Sequence, residues 1–289
     1  SDYKMTYTNI NKMFDNDKEV IDEFKDIYPN VLLMRELQKI LSSVREEMGS
    51  INFETIEPKF IFDKHGQITD MIVRERGIGE RMIEEFMLVA NQVVASHVYH
   101  LKLPFIYRVH ELPNEEKINQ VFTMIKELGI NVELEDNLTQ HNLQKLLKSV
   151  EDSKYEKVIN TLLLRSMSKA RYAKESLGHY GLAFDFYTHF TSPIRRYPDL
   201  IVHRYLRRYV FNNNQEVTQK MIDKFDDIAK QSSKTERQAM EAEREIMDIK
   251  KAEYMEQFIG QTFTGVISSV LKFGMFVELP NTVEGLIHI

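Results

Sequence analysis

Apolar positions recur with helical spacing along most of this chain and switch to alternation in only a few places. In PNVLLMRELQKILSSVREEM (29–48), Leu32, Leu33, Leu37, Ile40 and Leu41 return every three to four residues with charges between them. That spacing predicts an amphipathic helix. PKFIFDKHGQITDMIVRER (58–76) carries β-branched and aromatic residues on two arms around Lys64–Gly66, which predicts a β-hairpin. GERMIEEFMLVANQVVASHVYHLK (79–102) predicts another helix, ended by Pro104, and FIYRVH (105–110) a short strand. Helices are then predicted over 114–128, 139–150 and 153–172, separated by Gly129 and the acidic turn at 151–152. A further helix runs to about Val210, followed by the polar turn FNNNQEV and a long charged helix over about 217–258.

At Gly260 the pattern changes again. GQTFTGVISSVLKFGMFVELPNTVEGLIHI mixes β-branched, aromatic and glycine residues, with turns at Lys272–Gly274 and Pro280–Thr282. It predicts three short strands that begin a separate β domain. The fold class expected is therefore α+β, with a largely helical domain over 1–258 and a β domain from 259 to 289.

Composition narrows this picture only a little. The 289 residues suffice for one large domain or two ordinary ones, and 43% hydrophobic residues can supply a core. No apolar run approaches the ~18 residues of a membrane span, and SDYKMTYTNI lacks the basic start and apolar centre of a signal peptide. The absence of Cys removes disulfides and thiolate metal sites and fits a reducing cytoplasm. A net charge of −6 argues against a surface coated for general nucleic-acid binding, while leaving room for a local basic channel. The chain starts at Ser1 and stops inside a strand-like run, so a fragment is expected at both ends.

Four stretches are candidates for chemistry. The acids of DNDKEVIDE (15–23) invite a metal reading through Asp15, Asp17, Asp22 and Glu23, but acids interleaved with lysine before a helix usually cap it. His97, His100, His179, His189 and His203 are scattered, with no HExxH pattern, and predict ordinary surface or core histidines. In the β segment, Phe263, Phe273 and Phe276 beside Lys272 suit a base-stacking barrel face, but composition alone favours an ordinary strand core.

The fourth stretch, HFTSPIRRYPDLIVHR (189–204), is different. Two prolines exclude a plain helix, yet LIVHRYLRRYV follows at once with a helical apolar face. Pro198 is placed for the first position of a helix, with Asp199 in its first turn and Arg195 and Arg196 entering it. A helix N-terminus attracts phosphate and a guanidinium adds paired donors, so phosphate binding and a purely structural corner stand level. Arg204, Arg207 and Arg208 continue the positive charge.

GHYGLAFDFYTHFTSPIRRYPDLIVHRYL (178–206) closely resembles the C-terminal part of the catalytic domain of the ribonuclease II / ribonuclease R (RNB) family, with the ribonuclease R branch closer. MTYTNINKMF (5–14), IEEFMLVAN (83–91), IYRVHELP (106–113) and TLLLRSM (161–167) follow in the family's order, and GQTFTGVISSVLKFGMFVEL resembles the start of an S1 RNA-binding barrel. The resemblance implies a 3′→5′ exoribonuclease that releases nucleoside 5′-monophosphates with Mg²⁺ from the 3′ end of single-stranded RNA. It further implies a cytoplasmic monomer with no membrane contact, working near the ribosome or RNA-decay machinery. By position, Arg195 matches an arginine on the reacting phosphate and Tyr7 a tyrosine against the sugar. Phe53 matches an aromatic on the terminal bases, Glu84 a glutamate reading a ribose hydroxyl, and Glu243 a position near the RNA end. The family's metal-binding aspartates, of the form DxxxxxDxDD, fall before residue 1, so no metal ligand is expected here and this chain alone is expected to be inactive. A non-catalytic RNA-binding or scaffolding relative is the alternative, and a helical adaptor without an RNA role a third.

Overall fold

The computed structural model describes residues 3–51, 57–74, 76–127, 129, 139–151, 153 and 155–289. By contacts the chain divides into two units, residues 1–53 with 76–234, and residues 54–75 with 235–289.

The first unit opens with three helices, α1 (Tyr7–Phe14), α2 (Lys18–Glu23) and α3 (Tyr28–Glu47). Their starts follow from local chemistry. Thr6 accepts a hydrogen bond from the Asn9 amide, and Asp17 accepts from the amides of Glu19 and Val20, so two orphan helix ends are capped. Met13, Phe24, Val31 and Met82 form their core. The predicted amphipathic helix at 29–48 is present as α3, but much of its apolar stripe faces outward, with Leu33 61% and Ile40 60% exposed. After the segment that carries β1 (Glu57–Phe62) and β2 (Ile68–Arg74) comes α4 (Ile78–His100). Then follow β3 (Tyr107–Val109), α5 (Glu115–Glu127), α6 (Gln140–Val150) and α7 (Glu156–Ser166). Ile118, Ile125, Leu143, Leu146, Ile159 and Leu163 are fully buried between α5, α6 and α7.

One predicted helix needs correction. The helix expected over 153–172 stops at Ser166, and Arg171–Ala173 is a strand, β4, antiparallel to β3. The reason is tertiary. The backbone groups of β3 require partners, and the register Tyr107↔Ala173 and Val109↔Arg171 supplies them. The strand expected at 105–110 is correspondingly shorter, because Phe105 and Ile106 are core residues outside the ladder.

A single turn of 3₁₀ helix (Tyr180–Leu182) leads to the arginine-rich corner and α8 (Tyr197–Leu206), which continues as a π-turn over Arg207–Phe211. Tyr197 is the first helical residue, so Pro198 takes the second position and not the first. Either place suits a residue without an N–H. The main core gathers α4, β3, β4, α8 and the start of α9 (Gln219–Glu256) around Phe105, Ile106, Ile201, Val202, Tyr209 and Phe225.

In the second unit, β1 and β2 form the predicted hairpin. The strands β5 (Val266–Leu271), β6 (Gly274–Glu278) and β7 (Glu284–His288) form an antiparallel meander in that order. Gly274 is required there, since a Cβ would sit 2.3 Å from the Ile287 carbonyl oxygen and break the β6–β7 ladder.

Candidate functional site

The corner at 189–204 is held from several sides at once. Asn91, buried on α4, accepts from the Phe190 amide at 2.9 Å and donates to the Tyr187 hydroxyl at 3.0 Å. The Thr188 hydroxyl donates to the Ile106 carbonyl, and the Arg108 amide donates to the Tyr187 carbonyl. His203 on α8 bonds the Phe190 carbonyl through Nε2 at 2.8 Å and stacks on the Phe190 ring at 4.3 Å.

Asp199 closes the turn. It is fully buried, and its Oδ1 accepts from the Ser192 amide at 2.7 Å and from Nη2 of Arg196 at 2.8 Å. Its Oδ2 and the Nε of Arg196 are buried without a hydrogen-bond partner among the described residues. The two arginines therefore part company. Arg196 is tied to the fold, whereas Arg195 is exposed and makes no side-chain hydrogen bond or ion pair among the described residues. Ile194 and Tyr197 on either side of the pair are exposed too. A fixed backbone thus presents one uncommitted guanidinium, which is what anion recognition requires.

Beneath the corner lie His179 and His189, two of the histidines that the sequence left scattered, together with His110, which sequence reasoning did not single out. Ring centroids are 5.1 Å apart for His110–His179, 5.2 Å for His179–Tyr187 and 5.8 Å for Tyr187–His189. The Tyr172 hydroxyl lies 2.9 Å from Nδ1 of His189, and Arg108 sits over the Tyr172 ring at 4.7 Å. Burial above all, then the neighbouring charges of His110 and Arg108, pushes His179 down to about 3. Burial, then Arg196 and Arg108, pushes His189 down to about 2, with a smaller part from Arg195. Both are neutral in the fold and gain protons when it opens. Their stabilisation is complete above the ordinary histidine value near 6.5 and is lost progressively as pH falls from there toward the folded values. Between pH 7.5 and pH 5 the pair is expected to cost roughly 2–4 kcal/mol of stability. A urea midpoint that is the same at both pH values contradicts this.

Tyr7 and Glu84 come from helices that the fold joins. Asn11, one turn after Tyr7 on α1, accepts from the Gly79 amide at 2.8 Å and donates to Glu80 at 3.0 Å. Glu80 is one turn before Glu84 on α4. Gly77 admits this contact, because a Cβ there would lie 2.2 Å from Nδ2 of Asn11. Tyr7 is 44% exposed, and Glu84 is partly exposed, 3.7 Å from Nη1 of Arg76. Its neighbour Glu85 is buried instead against Arg45, with Nη2 to Oε1 at 2.6 Å. Glu243 is an exposed residue of α9 in the second unit. Phe53 lies outside the described residues.

The donor set for a metal does not fit. Among the described residues no three His, Asp or Glu side chains converge on a point. Asp17 caps α2 and lies 3.9 Å from Lys12, and Asp15 ends α1, so these two acids serve helix ends. The described residues therefore offer no ligand set for Mg²⁺. Sequence reasoning passed over Asn91, and it placed Asp199 in a first helical turn without its burial or its bonds to Ser192 and Arg196. Asn91 and Asp199 stand inside IEEFMLVAN and HFTSPIRRYPDLIVHR, but neither carries a charge pattern that announces a buried, corner-holding role. Among the described residues no helix is long and apolar enough to cross a membrane.

Comparison with known proteins shows the family of the chain. The RNB domain family matches residues 1–212, and the S1 RNA binding domain family matches residues 256–289. Ribonuclease R 1 of Lactococcus lactis is 44% identical over 99% of this chain, and ribonuclease R of Thermotoga maritima is 42% identical over 99%. The chain spans 35% and 41% of the lengths of those curated relatives. The solved structure of Mycoplasma genitalium RNase R in complex with ribose methylated single-stranded RNA is 30% identical and superposes with a TM-score of 0.87. That likeness covers 98% of this chain and 45% of the other. Yeast Ssd1, described as a pseudonuclease, is 26% identical with a TM-score of 0.62 over 74% of this chain and 27% of its own. With its arginine corner inside the matched segment and its β meander inside the S1 match, this chain belongs to the RNB family.

Proposed function

We propose that this chain is the rear part of a ribonuclease R-like 3′→5′ exoribonuclease, a cytoplasmic hydrolase that degrades single-stranded RNA processively to nucleoside 5′-monophosphates. Residues 1–258 serve its catalytic domain, and residues 259–289 open its S1 barrel. The observation that carries this reading is the uncommitted Arg195 on a buttressed corner within the family's match. In the proposed site Arg195 grips the reacting phosphate, and Tyr7 and Glu84 address the ribose at the 3′ end. Phe53 stacks on a terminal base, and Glu243 lies near the RNA end. Mg²⁺ supplies metal chemistry from ligands outside the described residues. The 289-residue chain alone is then inactive, and the intact enzyme acts as a monomer alongside the ribosome or RNA-decay machinery.

A second reading, a non-catalytic RNA-binding relative, draws support from the likeness to a pseudonuclease. A DxxxxxDxDD motif in the reading frame before residue 1 favours the enzyme.

One experiment tests both the activity and the sugar contacts. Release of 5′-monophosphates by the intact protein is followed on matched RNA and DNA oligomers. Wild type is expected to prefer RNA strongly. The double variant Tyr7→Ala, Glu84→Ala is expected to lose roughly tenfold to a hundredfold of that preference, the worth of a lost hydroxyl contact of about 1–3 kcal/mol. No monophosphate from either oligomer sinks the enzyme reading, and an unchanged RNA/DNA ratio removes both residues from the ribose.

A further inference from the structure

At the far end of α8 the surface opens into a recess of about 560 Å³ lined by His203, Arg204, Arg207, Phe211 and Asn212. Arg204 lies about 10 Å along the helix axis from the start of α8, so this is a different place from the Arg195 turn. Arg204 and Arg207 are exposed and stand one turn apart, and neither makes a side-chain hydrogen bond or ion pair among the described residues. In a chain of net charge −6, two adjacent uncommitted guanidiniums are a local departure from the general surface. Phe211 is 81% exposed, although a ring that merely filled the fold would be covered.

The backbone here is also unusual. The helix widens into a π-turn over Arg207–Phe211, and the Asn212 amide reaches back to the Arg207 carbonyl at 2.9 Å. Such turns are rare and concentrate at functional sites. Behind the recess the His203 ring is held by its contacts with Phe190, so the wall nearest the corner is rigid.

We infer that this recess is an accessory binding site for single-stranded nucleic acid, separate from the site at Arg195. The two guanidiniums take backbone phosphates, Phe211 stacks on a base, and Asn212 offers an amide to a base edge. A free phosphate has no use for the exposed ring, and an apolar partner has none for two unpaired charges. The inference rests on the RNA reading proposed above and adds to it a contact that holds the strand away from the reacting end.

The test uses the purified 289-residue chain and fluorescein-labelled oligo(A), titrated between about 50 and 200 mM salt, the range in which phosphate contacts show most clearly. The double variant R204Q/R207Q is expected to bind about tenfold more weakly, with a salt slope shallower by ~1.4, or ~0.7 for each lost contact. F211S is expected to bind several-fold more weakly with the slope unchanged, because stacking releases no counterions. All three residues are exposed, so the variants are expected to keep the wild-type circular dichroism. If wild type does not bind oligo(A), the RNA reading falls and this inference falls with it. If wild type binds and the variants bind equally well, the recess alone is overturned. A loss seen with poly(glutamate) in place of RNA overturns it in favour of an acidic protein partner.

Discussion

Replacing Arg195 by Ala in the intact enzyme is expected to lower kcat at least about a hundredfold while leaving the Kd for RNA nearly unchanged. The asymmetry follows from where charge appears. A bound strand makes many phosphate contacts, so one lost arginine weakens binding modestly. The scissile phosphate gains negative charge only as the nucleophile attacks, and a fixed donor aimed at that charge is worth about 3 kcal/mol or more. Arg195 is suited to the task because it is spent on nothing else, whereas Arg196 beside it is consumed by Asp199. The amides of Arg195 and Arg196 both reach back to the Ser192 carbonyl, so the guanidinium starts from a closed turn. Single-turnover rates and equilibrium binding, measured separately, decide the matter. If weaker binding accounts for the entire loss, Arg195 is one phosphate contact among many.

Replacing Asp199 by Ala is expected to destabilise the protein by about 3–5 kcal/mol, the cost of leaving one member of a buried ion pair alone. The carboxylate is completely buried, and one oxygen receives both the Ser192 amide and the Arg196 guanidinium. Alanine takes from the Ser192 amide and the Arg196 guanidinium the acceptor that they share. Asp199→Asn keeps an acceptor oxygen but loses the charge, and is expected to cost less than the alanine variant. Urea denaturation of the three proteins gives the ranking directly. Equal midpoints for wild type and Asp199→Ala show that the turn is held by other contacts.

Much of the fold was legible because it rests on local chemistry. The helix α4, the β1–β2 hairpin around Gly66, and the three strands from Val266 are each announced by spacing and turn residues. The cap at Asp17 belongs to the same class, since a short polar side chain meets amides two or three residues away. The strand β4 was not legible. Arg171–Ala173 continues a helical stretch in sequence and turns extended only because β3, more than sixty residues earlier, needs a partner. The outward-facing stripe of α3 is a similar case, because periodicity reports that a helix has an apolar face and not which way it points.

The candidate site divides in the same manner. The sequence by itself determined that a rigid, arginine-bearing corner precedes a helix, because two prolines, an acid and the following apolar spacing are all local facts. It did not determine which arginine is free, since Arg195 and Arg196 are adjacent and chemically identical. Tertiary structure decided that by burying Asp199 within reach of Arg196 alone. It also decided that His110, His179 and His189 share one interior with Tyr172 and Tyr187, and that Asn91 reaches across from α4 to hold Phe190. The physical reason is common to all of these. Burial and pairing are properties of neighbours in space, and groups up to 99 residues apart become neighbours only when the core around Phe105, Tyr209 and Phe225 closes.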